Sequence, residues 1–178
     1  MKKNNTQIEL FNEREINTHI LDENLSFQER KNKFLKKIKS TNPKSQNKYK
    51  RVSLSTIRYP GGKSLAVGHV LELLPDNLEK IISPFFGGGS IEIALSKELG
   101  LEVVGYEIFD ILVNYWKFQI EEPVLLYDQL KKLEPRKAKF EEIRKILNKV
   151  WLEYKENKRI SLDPITLAVY YVYNFNLS

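Results

Sequence analysis

Residues 85–90 read Phe-Phe-Gly-Gly-Gly-Ser and lie between a short apolar run and a helical period. No other stretch constrains the chain as much. Three successive glycines let a backbone turn through conformations closed to other residues, approach a ligand closely, and present amides at the start of a helix. Upstream, Lys80-Ile81-Ile82-Ser83 has the length of one strand. Downstream, residues 90–99 carry a helical period that Gly100 stops. Residues 101–106 form a second strand rich in Val, and residues 108–119 a second helix closed before Pro123. Strand, glycine loop, helix, strand, helix is the opening of a parallel, doubly wound α/β sheet.

The loop alone does not name its guest, and a tight turn with no ligand has the same composition. A dinucleotide fingerprint would need glycine at position 92, which is Glu92. Glu107 adds information. It follows the second apolar run, 18 residues after Gly89. In mononucleotide-binding halves an acid at that strand end, about 20 residues on, accepts hydrogen bonds from ribose hydroxyls. By itself Glu107 reads as a surface acid; in register with the glycine loop it points to a nucleoside ligand. Asp110, nearby, falls at a helix start and reads as a cap.

A second glycine turn precedes the loop: Arg58-Tyr59-Pro60-Gly61-Gly62-Lys63-Ser64. A phosphate-binding P-loop would require glycine at position 57, which is Ile57. What remains is a tight turn that aims a Tyr ring and a Lys ammonium at one place. Such an ammonium suits a carboxylate, and such a ring suits the apolar part of a cofactor.

Taken in order, RYPGGK at 58–63, SPFFGGGS at 83–90 and GYEIFDILVNYW at 105–116 resemble the Dam-like, adenine-specific DNA methyltransferases. The resemblance covers residues 55–178. It implies a Rossmann-like class I fold that uses S-adenosylmethionine as cofactor and DNA as partner. It further implies that Tyr59 and Lys63 contact the methionine part, with Lys63 near its carboxylate. Phe86, Gly87, Gly88 and Gly89 would wrap the cofactor's centre, Glu107 would bind the ribose hydroxyls, and Ile108 would pack on the adenine ring. One departure stands out: many members carry an acid just before Pro-Phe, where this chain has Ser83.

Family members also use a later Asp-Pro-Pro-Tyr to hold the flipped adenine. Here the one Asp-Pro is Asp163-Pro164, followed by Ile165-Thr166, which suits a helix start. No catalytic residue is therefore assigned. The expectation is the front part of such an enzyme, with an incomplete sheet and no turnover by itself. Two alternatives stay open: a non-catalytic DNA-binding or interaction module on the same scaffold, and half of a split enzyme completed by a second chain.

Three segments are expected: a basic, disordered extension over residues 1–50, a cofactor-binding α/β segment over 51–122, and a helical segment over 123–178. Residues 1–51 hold 13 Lys and Arg against 6 Asp and Glu, whereas 52–178 hold 16 against 17. That excess suits either a solvated tail or attraction to a polyanion. Within the extension, residues 27–38 form a short basic helix, since Phe27, Phe34, Leu35 and Ile38 can share a face. Pro43 lies in a linker after it. The absence of Cys removes disulfides and thiolate metal sites, and His19 and His69 are too isolated to make a metal centre. The longest aromatic-apolar stretch, residues 167–173, is far short of the roughly 20 residues of a membrane span. A soluble, intracellular protein is the expectation.

Overall fold

The computed structural model describes residues 6–9 and 25–177. Residues 1–5 and 10–24, His19 among them, lie outside the described residues. The elements run β1 (Thr6–Glu9), α1 (Phe27–Ile38), α2 (Val67–Leu73), β2 (Lys80–Ser83), α3 (Ser90–Leu99), β3 (Glu102–Glu107), α4 (Asp110–Glu121), α5 (Pro123–Lys131), α6 (Lys137–Asn157) and α7 (Pro164–Leu177). Two compact units divide the chain. One is Glu9–Tyr106; the other contains Glu107–Ser178.

In the first unit β2 and β3 pair in parallel, with Lys80 opposite Glu102 and Ser83 opposite Gly105. A parallel pair needs a crossover, and α3 supplies it. The loop between β2 and α3 is fixed by Phe86. Its ring is buried and lies so close to Gly105 that a Cβ there would stand 2.3 Å from Phe86 Cδ2. The Phe86 amide also donates to the Tyr106 carbonyl, 3.0 Å away. Gly105 is therefore the seat on which the loop's aromatic rests.

The expected disorder of residues 1–50 does not hold for residues 25–50. Ser26 and Glu29 form a reciprocal capping box at the start of α1. Phe34 and Ile38 are buried, and α1 packs on α2 and α3. Two cations complete the attachment. Lys31 Nζ donates to the Leu74 carbonyl just past α2 and to Asp76 Oδ1 at 2.8 Å. Arg30 Nε donates to the Leu99 carbonyl at the end of α3, 2.9 Å away. Helix C-termini carry unsatisfied carbonyls and a partial negative charge, so cations are favoured there. A composition rich in Lys reads as a tail when its charges are assumed to face water; here two of them cap other helices. The segment after α1 is held as well. Lys50 N donates to Ile38 O and Ser40 N to Lys48 O, while Tyr49 packs on Gly68, where a Cβ would be 2.3 Å from the ring.

The second unit is helical, and its boundary differs from the expected break at residue 122. α4 belongs with the helices that follow it, because its buried face (Ile111, Leu112, Tyr115, Trp116) packs on α5 and α7. α7 is the central element, touching α4, α5 and α6. Asp163 caps α7 by accepting from Thr166 N at 3.1 Å, with Pro164 at the first helical position, the local role read from Asp163-Pro164 in the sequence. Aromatic rings fill the interior: Tyr115 lies 6.0 Å from Tyr171, and Phe109 meets Trp151 edge-on at 5.1 Å. The Tyr154 hydroxyl donates to Asp110 Oδ2 at 2.8 Å.

Replacing Lys31 by Met keeps the buried stem and removes the charge, leaving the Leu74 carbonyl without its donor. The expected loss is about 1–3 kcal/mol, read as a lower Tm. Lys37→Met, which breaks an exposed pair with Glu98 at 3.4 Å, should cost less than about 1 kcal/mol. Equal effects would mean that α1 is not held through Lys31. Gly105→Ala forces a methyl into the Phe86 ring and should cost about 1–3 kcal/mol in denaturant melts; a neutral result would contradict the seat.

Alkaline pH probes the helical unit. Burial, and after it the Asp110 carboxylate, pushes the Tyr154 phenol up to about 12. A phenol raised above its unfolded value of about 10 gives stability that is fully present below about pH 10 and lost as pH rises through the folded value. Tyr154→Phe should therefore lose less Tm than the parent between about pH 10 and 12. Parallel losses would refute that assignment.

Candidate functional site

The glycine loop runs from Pro84 to Gly89, between β2 and α3. Gly87 (φ 51°) and Gly89 (φ 66°) are left-handed, and Gly89 is the N-cap of α3. Such φ values disfavour any residue with a Cβ. The Gly89 amide donates to Phe86 O at 2.9 Å, closing a turn inside the loop. Two loop amides are thus already bonded, that of Gly89 within the loop and that of Phe86 to the Tyr106 carbonyl of β3.

The preceding motif is a separate turn. Gly62 N donates to Tyr59 O at 3.0 Å, with Pro60 second and Gly61 third at φ 74°. That is the pattern of a type II turn, which takes Pro and Gly at these two places. Nothing lies within 4 Å of where a Cβ on Gly61 would stand, so this side of the turn is open. Lys63 is exposed and its ammonium donates to Gly61 O at 2.9 Å, which carries the charge back over the turn.

These two motifs meet. A Cβ on Gly88 would stand 2.6 Å from Tyr59 Cβ, and one on Gly87 would stand 3.3 Å from Tyr59 Cε1. The Ser55 hydroxyl donates to the Gly88 carbonyl from the same side. Glycine at 87 and 88 therefore admits Tyr59, so the loop's close approach is first to a residue of this chain. Tyr59 and Gly87 are brought together at the surface with Gly88 buried against the Tyr59 side chain, and Lys63 lies on the neighbouring turn.

Phe86 does not stand on that surface. It was expected to wrap a cofactor, yet its ring is 2% exposed, wedged between Gly105 and Gly89. Its contribution is to hold the loop from beneath. The neighbouring Phe85, passed over in the sequence, is 88% exposed. Glu107 is the last residue of β3. Its Oε1 accepts from the amides of Ile108 and Phe109 at 2.9 and 3.0 Å. These bonds orient the carboxylate at the strand end. Ile108, next in the chain, is 83% exposed, unusual for so large an apolar side chain.

Glu92 is the residue that sequence reasoning missed. Considered only as a break in a glycine pattern, it is the one buried carboxylate among the described residues. Ser83 Oγ donates to its Oε1 at 2.6 Å. Burial pushes its carboxyl up, while Ser83 and the amides of Glu92 and Ile91 pull it down. The signal was available: Glu92, Leu95, Ser96 and Leu99 stand at i, i+3, i+4 and i+7, the spacing of one helix face, and all four are buried.

Among the described residues no group of His, Cys, Asp and Glu could hold a metal ion. None of the described helices is long and apolar enough to cross a membrane. No curated protein and no solved structure matches the chain. A family model does, over residues 59–178, and its description is D12 class N6 adenine-specific DNA methyltransferase. The match starts at Tyr59 and spans the turn, the loop, the strand-end acid and the whole helical unit after it. It takes in more than half of the sequence, and the chain belongs to the D12 class N6 adenine-specific DNA methyltransferase family.

Proposed function

We propose that this chain binds S-adenosylmethionine at the glycine loop and serves methyl transfer to the exocyclic amino group of adenine in DNA. The observation that carries this reading is the seating of Tyr59 on Gly87 and Gly88. It joins two motifs that are far apart in sequence into one surface, with an ammonium on one side and a glycine-lined helix start on the other. When bound, the cofactor supplies a methyl group made electrophilic by a sulfonium.

The residues present fit such a group. Lys63 is an exposed ammonium beside an open turn and suits the methionine carboxylate. Tyr59 and Gly87 to Gly89 line the cofactor's centre, while Phe86 sets their height from below. Glu107, oriented by two backbone amides, accepts from the ribose hydroxyls, and Ile108 offers an apolar surface to adenine. Apart from that of Phe86, which the resemblance would have wrap the cofactor, these roles come from the resemblance.

Transfer also needs the target adenine to be flipped from the stack and held. Proximity lowers a barrier by roughly 7–11 kcal/mol only when both reactants are fixed. The residues placed above hold one of them. The tetrapeptide that holds the other in relatives does not occur in these 178 residues, so cofactor binding without turnover is the expected behaviour of the chain tested alone. A DNA substrate also implies work inside the cell.

Calorimetric titration with S-adenosylmethionine and with methylthioadenosine, which lacks the amino-acid portion, tests the assignment. The folded chain should bind both. Lys63→Met should weaken the first about tenfold, the loss of one charge-assisted hydrogen bond, and leave the second unchanged. Glu107→Ala should weaken both. Absence of heat with either ligand, while circular dichroism reports a folded chain, would sink the reading.

A further inference from the structure

Ser83 stands at the C-terminal end of β2, one residue before the glycine loop, and is half-buried. Ligands of parallel sheets bind at the carboxyl ends of strands. Its hydroxyl proton is committed to Glu92 Oε1, 2.6 Å away. A hydroxyl has one proton to give and two lone pairs to offer. With the proton directed inward at Glu92, Ser83 can only accept from anything that approaches it from outside.

Glu92 behind it is 7% exposed. Its hydrogen-bonding groups are Ser83 and the amides of Ile91 and Glu92, and among the described residues no cation forms an ion pair with it. Burial therefore works against its charge. A buried carboxylate is costly unless it is paired. A capping role for α3 would be met as well by Ser, Thr, Asp or Asn at the N-cap, which would not require a carboxylate sunk in the apolar face. A carboxylate that hydrogen-bonds a half-buried hydroxyl at a ligand-facing strand end has the layout of an acceptor for a cation that arrives with the ligand.

We propose that Ser83 and Glu92 together form an acceptor for the α-ammonium of the cofactor's amino-acid portion, with Ser83 touching the ammonium and Glu92 acting through Ser83. This rests on the cofactor reading given above. The pair would discriminate ligands that carry a free amino group from nucleosides that lack one.

The test compares two ligands on the full chain. Affinities for S-adenosylmethionine and for methylthioadenosine are measured for the parent, Ser83→Ala and Glu92→Gln, with Tm recorded for each. Glu92→Gln keeps the shape and an acceptor for Ser83 while removing the charge. The expected result is a loss of about tenfold for S-adenosylmethionine in both variants and unchanged affinity for methylthioadenosine. Equal losses for both ligands would overturn the proposal, because a brace that merely shapes the loop affects every ligand alike. Unchanged affinity for S-adenosylmethionine in both variants would overturn it too. Should Glu92→Gln fail to fold, the half-buried Ser83→Ala decides by the same ratio. If the folded parent binds neither ligand, the cofactor reading fails and this proposal falls with it; if the parent binds both and only the ratios stay flat, the cofactor reading stands and this proposal alone is lost.

Discussion

One ring governs the geometry of the first unit. Phe86 lies on Gly105 of β3 and under Gly89 at the start of α3, and its amide is tied to the Tyr106 carbonyl. The end of one strand, the tip of the loop and the first turn of the helix are thereby set at fixed separations. Tyr59 reaches Gly87 and Gly88 only because the loop is held at that height. Close packing transmits such restraints over several residues, since an interior at crystal-like density has little room to adjust. The glycines at 87, 88, 89 and 105 then have a shared explanation. Two adopt left-handed backbone, and each would bring a Cβ against an aromatic side chain.

The second restraint is electrostatic and comes from the N-terminal side. α1 delivers Arg30 to the end of α3 and Lys31 to the end of α2. Both of those helices present carbonyls that no intrahelical donor can satisfy. The opposite end of α3 is the glycine loop. A helix pinned at its C-terminus by a cation and at its N-terminus by Phe86 has little freedom to slide. The family match begins at Tyr59, so α1 lies outside it; by packing α1 nonetheless belongs to the unit that carries the loop.

Local elements were legible in the sequence where a period or a punctuating residue defined them. The strand at 80–83 and the helix at 90–99 match to the residue, because Gly89 and Gly100 mark both helix ends with left-handed backbone. After Pro123 the chain was read as a helical segment with a helix start at Asp163-Pro164, and helices do begin at Pro123 and at Pro164. What failed depended on partners far off in sequence. The helix at 27–38 was legible from its apolar spacing, but the extension around it was expected to be disordered because Lys and Asn dominate it, yet Lys31 finds Asp76 and Tyr49 finds Gly68. α4 was assigned to the sheet by proximity along the chain and instead buries its face against α7. Phe86 and Phe85 are adjacent aromatics whose sequence context is the same; only the position of Gly105 decides which one turns inward.

Charge shows the same dependence on partners. The first 51 residues hold all of the chain's excess of cations, and a free basic tail would offer its cations to a polyanion. Yet Arg30, Lys31, Lys37 and Lys48 are engaged within the fold, the last three with Asp76, Glu98 and Glu72. A cation already paired with a carboxylate releases fewer counterions when a phosphate approaches, and the salt dependence of nucleic-acid binding counts released counterions. The net charge of the segment therefore overstates its electrostatic pull on a polyanion. Exposed pairs such as Lys37–Glu98 are weak enough to exchange partners, whereas Lys31, buried between two acceptors, is committed to the fold. The same positive charges that suggested a loose tail are, in part, what fastens the helix behind the loop.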